Sequence, residues 1–164
     1  MLRLQKFSFR FAEQVLNSKL ALKREIENIL MDSSLNLQEM SRPKFNEVLD
    51  EKFVSKGWTS QPSVFDEPKD PAAKMDFIKD RIGIEVGFGH PSFIGIDLLK
   101  SQVSSYSGLD KINAGVYAVT TKNFKKKMKI EYDQNWQGSL SFEKVTRYLP
   151  HFKSQSNCQF TCLE

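Results

Sequence analysis

The chain has 164 residues, 40% of them hydrophobic and 27% charged, with a formal net charge of +4. These proportions fit one soluble globular domain and exclude a disordered or low-complexity chain. No apolar run reaches the length of a membrane span and the start has no signal-peptide pattern, so the expected location is the cytoplasm, with no membrane partner.

Residues 1–10 alternate imperfectly and read as a short strand or an extended arm. Val15, Leu16, Leu20, Leu22, Ile26, Ile29 and Leu30 then recur at helical spacing. Lys19, Lys23, Arg24, Glu25 and Glu27 fill most of the other face, which predicts one long amphipathic helix from Phe11 to Met31. A polar stretch follows. A second helix then carries Phe45, Val48, Leu49 and Phe53 on one stripe, with Pro43 suited to its first turn and Gly57 to its stop. Trp58–Phe65 can begin a strand, and residues 65–74, rich in Pro and charge, read as an exposed loop.

Met75–Lys79 and Ile82–Phe88 are the next strands, joined by Asp80-Arg81 as a two-residue hairpin turn. A helix opens near Pro91 and closes at Gly108. Its Phe93, Ile94, Ile96, Leu98, Leu99 and Val103 make it apolar on most sides, so it should pack on the sheet. Ala114–Thr121 is nearly uncharged, as a central strand would be. After it come a strongly basic segment, KNFKKKMKIEY, a turn at Trp136–Ser139, and a short helix behind Ser141. The tail holds one final strand with Cys158 and Cys162. These cysteines lack further Cys or His partners for a zinc site and read as reduced thiols. The order predicts a single α/β domain over 1–164, a mixed central sheet flanked by helices. Its helical part is 11–57, its sheet core 58–121, and its basic segment, helix and last strand 122–164.

Two acids stand inside otherwise apolar runs, Asp76 and Glu85. If Asp80 and Arg81 form the turn, Lys79 pairs with Ile82, and each outward step keeps the register, so Asp76 faces Glu85. Directly opposed residues share a sheet face with Cβ atoms about 5 Å apart. Like charges there repel. A bound Mg²⁺ would remove the repulsion, polarise a phosphodiester and activate a water. Gly87, two residues on, points to the same face. The alternative is that both acids face solvent and pair with Lys74 or Lys79.

The run from Met75 to Gln102 resembles the active-site segment of the BglII-type restriction endonucleases, members of the PD-(D/E)xK nuclease superfamily. The matching residues are Asp76-Phe77-Ile78-Lys79, then Glu85-Val86-Gly87-Phe88-Gly89, then Asp97 in the helix, then Ala114-Gly115-Val116-Tyr117. Upstream, Pro43-Lys44-Phe45-Asn46 and Gly57-Trp58 are similar to that family's second helix and its end. The resemblance implies a restriction-endonuclease-like core in which Asp76, Glu85 and the main-chain carbonyl of Val86 hold Mg²⁺. It also implies hydrolysis of double-stranded DNA at a specific short site to leave a 5′-phosphate, by a homodimer and without a small-molecule cofactor. The third motif position, a polar or basic side chain in such enzymes, falls on Gly87, which can neither orient a water nor hold a proton. His90 or Lys79 is a candidate substitute.

Lys122, Lys125, Lys126, Lys127 and Lys129, with Phe124 and Tyr132 among them, can grip DNA phosphates or form an ordinary solvated face. Lys79 is a further candidate DNA contact, and Glu47 can act as an accessory acid or serve only solubility. No Ser or Cys has His and acid partners at a nucleophile's spacing, and the glycines lack the Lys-Ser/Thr of a phosphate loop. Two functions are therefore expected: a Mg²⁺-dependent type II restriction endonuclease, or a nuclease-fold DNA-binding protein impaired in cleavage by Gly87.

Overall fold

In the computed structural model, which describes residues 2–65, 73–106, 109–151 and the backbone of 158–163, the sheet is built around the predicted hairpin. Its strands are β1 (Leu4–Phe9), β2 (Thr59–Ser60), β3 (Phe77–Lys79), β4 (Ile82–Val86), β5 (Ala114–Thr120) and β6 (Cys158–Leu163). The helices are α1 (Ala12–Ser18), α2 (Leu20–Leu30), α3 (Arg42–Ser55), α4 (Ile94–Ser105), α5 (Lys122–Tyr132) and α6 (Phe142–Tyr148). The six strands lie in the order β1-β6-β5-β4-β3-β2. Strands β4, β5 and β6 run parallel and the other neighbours antiparallel.

Asp80 and Arg81 both have positive φ, 47° and 63°, the mirror-image turn whose twist suits a hairpin. Arg81 is tied down from both ends: its side chain donates to Asn113 and Asp110, and its carbonyl accepts from Asn113 N at 2.6 Å. Lys79 consequently pairs with Ile82, Ile78 with Gly83 and Phe77 with Ile84. The ladder ends at that last pair, so the expected strand from Met75 begins only at Phe77; Asp76 is a bend just before β3, and its side chain reaches the Val86 amide at the open end of the hairpin, next to Glu85.

Strand β5 is buried along its whole length, as its lack of charge requires. Alternation along β3, β4 and β5 divides the core between the two sheet faces. Phe77, Ile82, Ile84, Val116 and Ala118 pack with α2, α3, α5 and Trp136. Tyr117 and Val119 pack with Leu98 of α4 and with Phe142 and Val145 of α6.

Several expectations are corrected. The single helix over Phe11–Met31 is broken at Lys19, whose φ of −121° and ψ of 51° are not helical. Ser18 Oγ donates to the Val15 carbonyl at 2.7 Å, a local bond that competes with the helix ladder. The basic segment is a helix, α5, capped by Thr121 Oγ1, which accepts from Phe124 N at 2.9 Å. Its Phe124 and Met128, four apart, are its buried stripe. Trp136, read as part of a turn, is fully buried. Its indole N–H donates to the Met40 carbonyl at 3.0 Å, and its ring meets Phe45, Phe88 and Phe124 edge-on at centroid distances of 5.8, 5.3 and 5.2 Å. Gly57 follows α3 with φ +80°, the left-handed stop expected of it. The strand expected from Trp58 shrinks to Thr59–Ser60 and an isolated Ser63–Lys74 bridge. Most of the 65–74 loop, Gly108 and the thiols of Cys158 and Cys162 lie outside the described residues. Among the described residues, no helix is long and apolar enough to cross a membrane.

Candidate active site

The open end of the hairpin, the first turns of α4 and the middle of β5 converge on one cleft of about 240 Å³. Its walls include Asp76, Glu85, Gly87, His90, Lys100 and Tyr117, with Asn46 from α3 on the far side. Asp76 is fixed first by the backbone: its Oδ2 accepts from Val86 N at 2.7 Å, and its Oδ1 accepts from Gln61 Nε2 at 3.1 Å. Burial raises its pKa against those hydrogen bonds and against Lys100.

Glu85 is only 3% exposed. Its Oε2 accepts from Lys100 Nζ at 2.8 Å, while its Oε1, fully buried, has no partner among the described residues. An orphaned buried oxygen of this kind is rare, because it carries the desolvation cost without a compensating bond. Burial first, and then Asp76, push the carboxyl up to about 9, with Lys100 pulling the other way. Lys100 in turn donates to Asp97 Oδ1 at 3.1 Å and to the Lys74 carbonyl at 3.0 Å. Burial lowers its pKa, but Glu85 and Asp97 outweigh that and raise it, so the ammonium stays charged. Tyr117, beside Glu85 in the parallel ladder, donates its hydroxyl to Asp97 Oδ2 at 2.7 Å. Burial and Asp97 lift its pKa above the usual phenol range, which keeps the hydroxyl a donor.

The candidates are distributed unevenly. Asp76, Glu85, Val86, Gly87 and His90 come together. His90 caps the short turn before α4, and its Nδ1 accepts from Ser92 N at 3.3 Å. Lys79 does not join them: it projects from the opposite sheet face, donates to Glu25 at 2.8 Å and to the Lys56 carbonyl at 2.7 Å, and lies over the Trp58 ring. Glu47 pairs with Lys44 at 2.9 Å and lines a neighbouring cleft with Asp76. On α5, Lys122, Lys126, Lys127 and Lys129 are exposed. Lys125 is half-buried and donates to the Ser139 carbonyl at 2.9 Å. The next residue, Leu140, lines the cleft and donates its N–H to the Gly89 carbonyl at 2.9 Å, so the root of α5 adjoins the site. Sequence reasoning missed Lys100, Gln61 and Asn46. Only Lys100 left a signal, as the sole cation of α4, three residues from Asp97.

A family model described as restriction endonuclease BglII/BglIII matches residues 4–159. The chain belongs to that family. BglII/BglIII membership places it among the type II site-specific deoxyribonucleases. The crystal structure of restriction endonuclease BglII complexed with a DNA 16-mer has the same fold, with a TM-score of 0.75 and 16% identity over 99% of this chain and 78% of that one. Free BglII gives a TM-score of 0.68 and 18% identity over 99% and 79%. No curated protein sequence matches the chain.

Proposed function

We propose that this member of the BglII/BglIII family cuts double-stranded DNA at a specific site with Mg²⁺ held by Asp76, Glu85 and the carbonyl of Val86. The observation that carries the metal reading is Glu85 Oε1: a buried carboxylate oxygen without a partner, in a cleft, across the hairpin from Asp76. Among the described residues no three His, Cys, Asp or Glu side chains gather as a cluster, and the donor set is two carboxylates and a carbonyl. That fits Mg²⁺, which takes one or two carboxylates and fills its shell with waters and phosphate oxygens. When bound, the ion would supply Lewis acidity toward the phosphate and lower the pKa of a water.

The residues of the chain do the rest. The Val86 amide fixes one Asp76 oxygen, and Lys100 fixes one Glu85 oxygen, so the remaining oxygens are held in place before DNA arrives. In the hydrolysis the water oxygen bonds to phosphorus as the bond to the 3′ oxygen breaks. The water keeps one proton on the new phosphate, and its other proton reaches the 3′ oxygen through solvent. Lys122, Lys126 and Lys127, exposed on α5, suit the DNA backbone, and Lys125 at its root is held by the Ser139 carbonyl next to the cleft-lining Leu140. A homodimer matches a two-fold DNA site. Ile96 and Leu99 on α4, with Phe93 just before it and Tyr106 just after, are each 46–56% exposed and suit an apolar face for it.

A second reading, DNA binding without cutting, is favoured by one observation: Gly87 has no side chain, and the space beside it is filled by Tyr117. The test is incubation of plasmid DNA with the protein in Mg²⁺, Mn²⁺ or EDTA. Discrete fragments that need the metal are expected. Salt-sensitive binding with no cutting in any metal would establish the second reading instead.

A further inference from the structure

The side chain missing at position 87 cannot simply be restored. A Cβ there would lie 2.6 Å from Tyr117 Cε2 and 2.8 Å from both Cζ and the hydroxyl oxygen. The tyrosine ring therefore fills the volume a side chain at 87 would occupy, and its hydroxyl is committed to Asp97. Asp97 receives Lys100, whose Nζ lies 2.8 Å from Glu85 Oε2. Tyr117, Asp97 and Lys100 thus form a chain of contacts that ends with a positive charge against Glu85, on the sheet face where Gly87 offers nothing.

We propose that Lys100 is the catalytic cation of this site, taking the place of the side chain absent at Gly87. Its ammonium faces the negative charge that builds on the attacked phosphate. The inference rests on the nuclease reading above. All three N–H groups of Lys100 are engaged, by Glu85, Asp97 and the Lys74 carbonyl. Lys100 therefore acts through a charge held fixed, not through a mobile donor. Preorganised charge in a water-poor site is worth a factor of about 10²–10³ in rate, because nothing reorganises as the transition state forms. Its side chain is 13% exposed, so it lines the cleft without being solvated away. Asp97 and Tyr117 are positioning residues for it.

A purely structural role makes a different prediction. If Lys100 only neutralised Glu85, a bound metal would take over that duty, and the lysine would be dispensable to the loaded enzyme. The experiment compares wild type, Lys100→Met and Lys100→Arg. Single-turnover cutting of plasmid is measured at saturating protein and Mn²⁺. Mn²⁺ affinity is measured separately by calorimetry, without DNA. Lys100→Met is expected to bind Mn²⁺ as tightly as wild type or tighter, since a competing cation has left Glu85, yet to cut about a hundredfold more slowly or worse. Lys100→Arg should fall between the two. Lys100→Gln replaces Lys100→Met if the latter fails to fold, with the same expectations. Cutting by Lys100→Met within threefold of wild type, or loss of its Mn²⁺ binding, overturns the inference while leaving the nuclease reading standing. No cutting by wild type in any metal overturns both.

Discussion

Replacing Glu85 by Gln in the metal-free protein isolates the electrostatics of the site. The carboxyl is held up to about 9 by burial and by Asp76, against an ordinary value of 4.5. A carboxyl raised in the folded state costs nothing below its unfolded value, where both states keep the proton. Its cost grows as pH climbs from about 4.5 toward 9. At pH 7 the fold retains a proton that the unfolded chain has released across roughly 2.5 pH units. At about 1.4 kcal/mol each, that is on the order of 3 kcal/mol. Gln needs no proton and still offers Lys100 an oxygen, at a loss of about 1 kcal/mol for a weaker bond. The net expectation is a gain of about 2 kcal/mol, or roughly 4–8 °C in Tm for a domain of this size. The assay is thermal denaturation in EDTA at pH 5, 7 and 8. The gain should be near zero at pH 5 and largest at pH 8. Mg²⁺ at about a hundred times its Kd should then stabilise wild type by about 2.7 kcal/mol and the variant by much less. A lower Tm for Glu85→Gln at pH 7 in EDTA would refute the reasoning, since it would mean that Lys100 holds Glu85 ionised.

Gly87→Ala should cost about 1–3 kcal/mol by overpacking against Tyr117. The cost should shrink in a Tyr117→Ala background, and an unchanged urea midpoint for Gly87→Ala would deny the close approach. Gly87→Gln alone should not speed cutting, for the same lack of room. Lys126→Ala and Lys127→Ala should weaken DNA binding evenly across sequences and each reduce the slope of log K against log salt by about 1, measured by fluorescence anisotropy. Asp32 is held at about 2, first by its bond from Lys52 and then by Ser34. A depressed carboxylate stabilises above its ordinary value and loses that contribution as pH falls. Asp32→Asn should therefore cost about 1 kcal/mol at pH 7, after discounting for partial exposure, with the gap closing near pH 2 in urea titrations.

The parts of this fold legible in sequence were those set by short-range rules. The turn at Asp80-Arg81 dictates a register by counting, and just beyond its last pair Asp76 and Glu85 meet in one cleft. The uncharged run of β5 could only be a buried strand. What stayed hidden depends on distant residues or on local competition. The break at Lys19 lies next to Ser18, whose hydroxyl turns back on Val15, in a segment whose apolar spacing continues as if uninterrupted. Helix α5 was masked because its five lysines outnumber a buried stripe of only Phe124 and Met128. Lys100 reaches Glu85 across 15 residues of chain, and Tyr117 reaches Asp97 across 20, so neither contact has a local signature. Gly87 looked like a lost side chain. The structure relates it to Tyr117, whose ring takes the space, and to Lys100, whose charge reaches the same acid from another helix.

The most direct test of the account is to grow crystals in Mn²⁺ and collect anomalous scattering at the manganese edge. One strong peak is expected, bonded to an Asp76 oxygen and to Glu85 Oε1, with Lys100 still beside Oε2. Saturating Mn²⁺ with no peak between these two carboxylates would contradict it.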